Sequence, residues 1–300
     1  MTYFFDPYVG NNYKKGFDIE NGEIKLCEKE NEGLKVMVLG LEHYCCDVKP
    51  CGIHTIKNGK EILNCVQAPN CRAFTQTVVN DFIHGKNYKS FIRFTNVFKK
   101  EYRGIWNYFV FSNFFQRSMP KKSSAENNAF RLGTETDVIE KTVAVNALSR
   151  IIKENLPNII IVWGAENGPI WRGIEQNQQN LNNLGISIRL MQNSTKKYKM
   201  PRIHIVDCKG IPFTVLDIKC DRDNLHSCLI VLIEHPQHWR WVKNFDKFAP
   251  EYIKCILGNF DRLSKWDNIV KNWNGQTIIS PPVCEFKNLN WTNYPSFPHK

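Results

Sequence analysis

Short apolar runs alternate with amphipathic stretches along most of the chain. Four runs are continuously apolar or nearly so: Lys35–Leu39 (KVMVL), Tyr108–Ser112 (YFVFS), Asn158–Trp163 (NIIIVW) and Cys228–Glu234 (CLIVLIE). Runs this short, bounded by turn residues, read as strands buried on both faces of a sheet. The stretches between them carry a helical period. In Phe74–His84 the repeat passes through Phe74, Val78 and Phe82, with Val79 beside it. In Tyr88–Tyr102, Phe91, Phe94, Val97 and Phe98 face inward and Lys89, Arg93, Lys99 and Lys100 outward. A third helix, capped by Thr136 or Asp137, runs to about Glu154 on a stripe of Val138, Val145, Leu148, Ile151 and Ile152, and Asn155-Leu156-Pro157 ends it. A short helix starts near Pro169, short strands follow at Ile186–Leu190, Arg202–Val206 and Phe213–Leu216, and Pro250–Arg262 reads as a late helix.

Apolar strands alternating with helices predict a three-layer α/β/α fold around a central, mostly parallel sheet. No linker divides the chain. Residues 1–33 read as an N-terminal arm or cap, 34–262 as one domain with a Cys-rich insertion at 45–72, and 263–300 as an extension packed on it.

Open α/β sheets bind ligands just beyond the carboxyl ends of their strands. Here the first strand exits through Gly40 into Glu42, His43 and Tyr44; the second exits into Asn113; the last exits into His235-Pro236-Gln237-His238. Each exit alone also suits an ordinary polar turn, and the three together are the signal. They supply a carboxylate, an amide and an imidazole, the groups that hydrolysis of a base–sugar bond requires. Cleaving that bond leaves oxocarbenium character on the sugar and negative charge on the base. A carboxylate beneath the sugar answers the first and orients water, which assigns Glu42. A preorganised donor at the base oxygen answers the second, which assigns His235. Asn113 presents an acceptor and two donors to the edge of a planar base.

Composition adds a core and a charge. Hydrophobic residues make up 42% of the 300, with 19 Phe, 8 Trp and 10 Tyr, which is ample for a packed interior. The net charge of +11 points to a polyanionic partner. Two basic loops fit such a partner: Arg117–Lys122, with Arg117, Lys121 and Lys122 directly after Asn113, and Lys196–Arg202. Both also read as ordinary solvated faces. No run approaches the ~20 apolar residues of a membrane span, and the start, MTYFFDPYVGNNYKK, lacks signal-peptide character. The expectation is a monomeric cytoplasmic protein.

Eleven Cys, an odd number, fit a reducing compartment. Cys46, Cys51, Cys65 and Cys71, with His54 as a substitute, could hold a structural zinc. Their C-x₄-C…C-x₅-C spacing departs from the tight knuckles of zinc sites, and buried small hydrophobes are the competing reading. The remaining Cys, including Cys208, Cys220 and Cys228, read as core filler.

The order and spacing of these exits resemble the uracil-DNA glycosylase superfamily, over roughly Leu34 to Leu257. Gly40-Leu41-Glu42-His43-Tyr44 is similar to its first motif (Gly-Gln-Asp-Pro-Tyr or Gly-Glu-Ala-Pro-Gly), Phe111-Ser112-Asn113 to its base-reading strand end, and His235-Pro236-Gln237 to its late His-Pro-Ser. IIIVWG and WNYFVFSNFFQ are similar to segments of a bacterial branch whose first motif tends to be Gly-Glu-Ser-His-Tyr-Cys, and Cys45 fits that branch. The chain departs from the pattern in lacking the motif Pro, in placing the acid third where the bacterial branch has it second, and in having Gln237 for Ser.

The resemblance implies a monofunctional DNA glycosylase that flips a pyrimidine out of DNA and leaves an abasic site, with no cofactor required for catalysis. It implies that Phe74 stacks on the base and that His43 and Tyr44 line the pocket, Tyr44 at the carbon-5 side. His238, Trp239 and Arg240, with Trp241, would enter the minor groove. Two branches carry an iron–sulfur cluster on four Cys, so that group stays open beside zinc. Uracil and a modified cytosine are both open as the base, the latter in hypermodified bacteriophage DNA as an antiviral defence in bacteria. A catalytically silent DNA-binding relative and a metal-dependent hydrolase using the Cys/His loop are the alternatives.

Overall fold

A computed structural model describes residues 5–20, 23–45, 54–57, 60–63, 72–98, 102–116, 118–120, 135–164, 169–191, 213–219, 225–233, 235–237, 253–254 and 257–258. In chain order the strands are β1 (Tyr8–Val9), β2 (Phe17–Glu20), β3 (Glu23–Leu26), β4 (Val36–Gly40), β5 (His43–Cys45), β6 (His54–Lys57), β7 (Lys60–Leu63), β8 (Phe109–Asn113), β9 (Ser118–Pro120), β10 (Ile159–Trp163), β11 (Ile186–Met191), β12 (Phe213–Lys219) and β13 (Leu225–Ile233). The helices are α1 (Phe74–Ile83), α2 (Lys89–Phe98), α3 (Glu135–Asn155), α4 (Pro169–Gln176) and α5 (Gln178–Asn183), with a 3₁₀ turn at Arg103–Tyr108.

Seven strands form the central sheet in the order β1-β8-β4-β10-β13-β12-β11. Its middle four, β8-β4-β10-β13, are parallel. β1 joins one edge antiparallel, and β12 and β11 continue the other as an antiparallel meander. The expected parallel sheet with helices on both faces is thus its middle, and the edges are antiparallel. The run Arg202–Val206 and most of Pro250–Arg262 lie outside the described residues.

Alternation along the strands builds two apolar layers. Val36, Val38, Phe109, Phe111, Ile159, Ile161, Trp163 and Ile233 face α1 and α2; Met37, Leu39, Val110, Ile160, Val162 and Ile230 face α3 and α4. The first layer is aromatic. Phe91 stacks at 4.6 Å from Trp106 and 5.4 Å from Trp163 between ring centroids, and Trp106 donates its indole N–H to Thr95 Oγ1 at 2.8 Å. Thr95 in turn donates to the Phe91 carbonyl at 2.7 Å, so its hydroxyl both accepts and donates. Trp106→Ala removes both the ring and that partner and is expected to cost about 3–5 kcal/mol, read as a lower urea midpoint.

Two expectations shift. On α1 the buried side is Thr75, Val79 and Phe82, whereas Phe74 and Val78 are only half-buried. The helix is rotated because its start packs beside the N-terminal segment, where the Asp6 N–H donates to the Arg72 carbonyl at 2.9 Å. Residues read as an arm or cap instead enter the core: β1 pairs with β8, and Phe5, Tyr13 and Phe17 are buried. Burial raises the Tyr13 phenol, which donates to the Asn155 carbonyl at 3.1 Å. Cys228 is buried core, as its neighbours imply, and burial raises its thiol.

The connections set the geometry of the sheet's end. β4 reaches β8 through α1 and α2 on one face, and β8 reaches β10 through α3 on the other, passing over β4. Crossovers leaving in opposite directions on opposite faces open a crevice where the order reverses. That reversal lies between β4 and β10.

Candidate active site

Four parallel strands end together at this crevice, in the order Asn113 (β8), Gly40 (β4), Trp163 (β10) and Ile233 (β13), the last followed by the His235 turn. Registers of Gly40 with Asn113 and of Trp163 with Ile233 align the ends. Pairing continues past the strands. The Phe114 and Phe115 N–H groups donate to the carbonyls of Gly40 and Leu41 at 2.8 and 2.9 Å, and the Gly164 N–H donates to the Ile233 carbonyl at 2.8 Å. These bonds hold the exits of β4 and β8 side by side, so Glu42 and Asn113 emerge from neighbouring chains. Beyond them His43–Cys45 runs parallel to Ser118–Pro120 as a second ribbon.

Asn113 is 6% exposed. Its backbone is locked: its carbonyl accepts from Gln116 Nε2 at 2.7 Å, and Gln116 Oε1 accepts the Phe5 N–H at 2.7 Å. The carboxamide lies over Gly40. A Cβ there would collide with Asn113 Oδ1 and sit 3.2 Å from Phe111 Cζ. Gly40 is therefore the space that the amide occupies, beyond being a turn residue.

Glu42, two residues past β4, is 8% exposed. A carboxylate at this depth is rare.

His235 is half-buried on the α1/α2 side. Its ring stands edge-on to Trp163, 5.7 Å between centroids at 81°. The Gln237 N–H donates to His235 Nδ1 at 3.2 Å. A neutral imidazole that accepts at Nδ1 carries its proton on Nε2. The ring is thus set up as an Nε2–H donor. Trp163 Nε1, buried beside it, has no hydrogen-bond partner among the described residues.

By strand alternation Asn113, Gly40 and Trp163 share one face, and the Trp163 contact places His235 on it as well. β8 and β13 are three strands apart, roughly 14 Å at ordinary strand spacing. Within that interval Phe111 of β8 packs against Trp163 of β10 at 5.4 Å between centroids, and Trp163 meets His235. This edge of the sheet therefore carries an amide on β8, an indole on β10 and an imidazole just past β13, with Glu42 two residues beyond β4.

Of the other expected residues, Phe74 opens α1 on this same face and is half-buried. His43 and Tyr44 lie in β5 beside Ser118–Pro120. Arg117, Lys121, Lys122, His238, Trp239 and Arg240 fall outside the described residues, as do Cys46, Cys51, Cys65 and Cys71. His54 begins the β6–β7 hairpin. Among the described residues no three His, Cys, Asp or Glu gather as a metal site, and no helix is long and apolar enough to cross a membrane.

Three neighbours of the site escape sequence reading. Gln116 holds the Asn113 backbone, Trp163 walls His235, and Arg93 reaches the His235 turn. Helical spacing puts Arg93 outward, yet its place between Phe91 and Phe94 is the boundary of the apolar stripe, and that was the available signal.

No protein-family model matches this chain, and no curated protein matches it.

Proposed function

We propose that this protein is a monofunctional DNA glycosylase of the uracil-DNA glycosylase type, acting on a flipped-out pyrimidine. The observation that carries the reading is the buried Asn113 side chain, its Oδ1 against Gly40, at the same sheet edge as Glu42 and His235. A recognition amide and a tautomer-set imidazole on one face of one sheet edge suit a base whose rim offers both donors and acceptors.

The chemistry follows from the groups. DNA approaches a chain of net charge +11, and the target base leaves the stack at a cost of a few kcal/mol. Asn113 bonds the base edge from its place against Gly40, where a side chain would displace the amide. As the N-glycosidic bond breaks, its electron pair leaves with the base, and the His235 Nε2–H stabilises the charge arriving on the base oxygen. Glu42 stabilises the cationic sugar and takes a proton from the water whose oxygen bonds to the anomeric carbon. The products are a sugar hemiacetal, which is an abasic site, and the base, which solvent reprotonates. With Glu42 as the proton acceptor, water is the nucleophile in this reading.

The test is release of alkali-labile abasic sites from plain, uracil-containing, 5-hydroxymethylcytosine and glucosylated-cytosine duplexes. Release from one DNA, lost on Glu42→Gln and on His235→Ala, supports the reading and names the base. Tight binding with no release from any of them overturns it and leaves a silent DNA binder.

Gly40→Ala probes the carrying observation directly. The new methyl must push Asn113 aside, and displacement of a binding group by about 1 Å costs on the order of 10²-fold in rate. Base release should fall by that order in a folded protein. The Gly40→Ala/Asn113→Ala double variant should be no slower than Asn113→Ala alone, because both act through one amide.

A further inference from the structure

Arg93 leaves the solvent face of α2 and reaches the turn beyond β13. One nitrogen, Nη1, donates to the Pro236 carbonyl at 3.2 Å and to the Gln237 carbonyl at 2.6 Å. The Gln237 peptide nitrogen is the donor to His235 Nδ1. The same residue, Gln237, is therefore held at its carbonyl by Arg93 while its N–H fixes the imidazole.

The sheet pairing ends with the Gly164 N–H on Ile233, two residues before His235. α2, by contrast, is anchored. Phe91 and Phe94 on either side of Arg93 pack against Trp163 at 5.4 and 5.3 Å between centroids, and Trp163 stands edge-on to His235. α2 thus bears on the imidazole by two routes, through the Arg93 cation on its turn and through Trp163 of β10, against which Phe91 and Phe94 pack. A charged donor to carbonyls is among the stronger hydrogen bonds available to a protein.

We propose that Arg93 is a positioning residue that clamps the Pro236 and Gln237 carbonyls and thereby sets the tautomer and direction of the His235 imidazole. The catalytic consequence rests on the glycosylase reading; control of the tautomer does not. A cation near a DNA-facing edge invites a second role, contact with a phosphate. That role predicts weaker, more salt-sensitive binding with turnover unchanged, whereas a clamp predicts the reverse.

The experiment compares wild type with Arg93→Met and Arg93→Lys, using imidazole ¹⁵N NMR, with His235→Ala to assign the resonance, and kinetics on the cleaved duplex. Wild type should show His235 protonated at Nε2 alone. Arg93→Met keeps the apolar stem and loses the donor: the His235 nitrogens should shift toward a tautomer mixture, and kcat should drop by about 10²-fold with KM little changed. Arg93→Lys should recover part of both, because both contacts come from a single nitrogen, and its recovery shows that the loss in Arg93→Met is not misfolding. An unmixed Nε2–H signal in Arg93→Met overturns the clamp whatever the activity. So does a loss confined to salt-dependent affinity. If wild type releases no base yet Arg93→Met mixes the tautomers, the glycosylase reading fails and the clamp stands.

Discussion

Glu42→Gln is expected to lower base release by about 10²–10⁴-fold, the range over which positioned acid–base groups act, while leaving DNA binding nearly intact. Glutamine matches glutamate in size and can still hydrogen-bond, so what is removed is the charge and the ability to take a proton. The proposed step needs both. The sugar gains positive charge as the base departs, and the attacking water must shed a proton as its oxygen bonds to carbon. At 8% exposure the carboxylate acts through little water, and Coulomb interactions strengthen as the local dielectric falls. The measurement is single-turnover release of base from the duplex identified by the panel, with binding followed separately by fluorescence anisotropy. A variant that binds as wild type and cleaves far more slowly places the carboxylate in the transition state and not in ground-state affinity. A variant that cleaves at the wild-type rate removes Glu42 from the chemistry, and with it the catalytic assignment of the β4 exit.

How far the sequence reveals this site differs from residue to residue. The four parallel strands are legible because each is a short, unbroken apolar run, which is what burial on both faces demands. Their exits are legible for the same reason: polarity changes abruptly at Gly40, Asn113 and His235. The antiparallel edges are not, because Ile186–Met191 and Phe213–Lys219 carry the same alternation whichever way they pair. The N-terminal residues are misread as an arm because aromatics such as Phe5, Tyr13 and Phe17 enter the core one at a time from turns and short strands, with no period to betray them. What Gly40 does is visible only in three dimensions. In the chain it is a residue after a strand; in the fold its missing side chain is the place where Asn113 lies. Arg93 is hidden by a similar limit, since helical spacing reports which way a Cα points and not where a long side chain ends.

That difference matters for the electrostatics of the site. The groups that a sequence shows, Glu42, Asn113 and His235, would each be mobile in water. Of the groups it hides, Gly40 and Gln116 bear on Asn113, and Trp163 and Arg93 bear on His235. Preorganisation of this kind is what gives a hydrogen-bond donor more effect on a developing charge than on a substrate already bound.

His235→Ala carries the second large effect. Removing one preorganised donor to a developing oxyanion costs about 10²–10³-fold in rate, and base release should fall by that amount. The loss should depend on the leaving base, which separates it from a packing defect. A base that bears its negative charge poorly leans hardest on the Nε2–H, so the variant's deficit should be greatest there. A base carrying an electron-withdrawing 5-substituent stabilises its own charge, and the deficit should shrink. Comparing uracil with 5-fluorouracil in the same duplex, if uracil is cleaved, or an equivalent pair on the base that is, reads this slope. A uniform loss across both bases would show that the imidazole only packs against Trp163 and supports the turn. His235→Gln refines the result, because an amide donor at nearly the same reach should return part of the rate only if a hydrogen bond was what alanine removed.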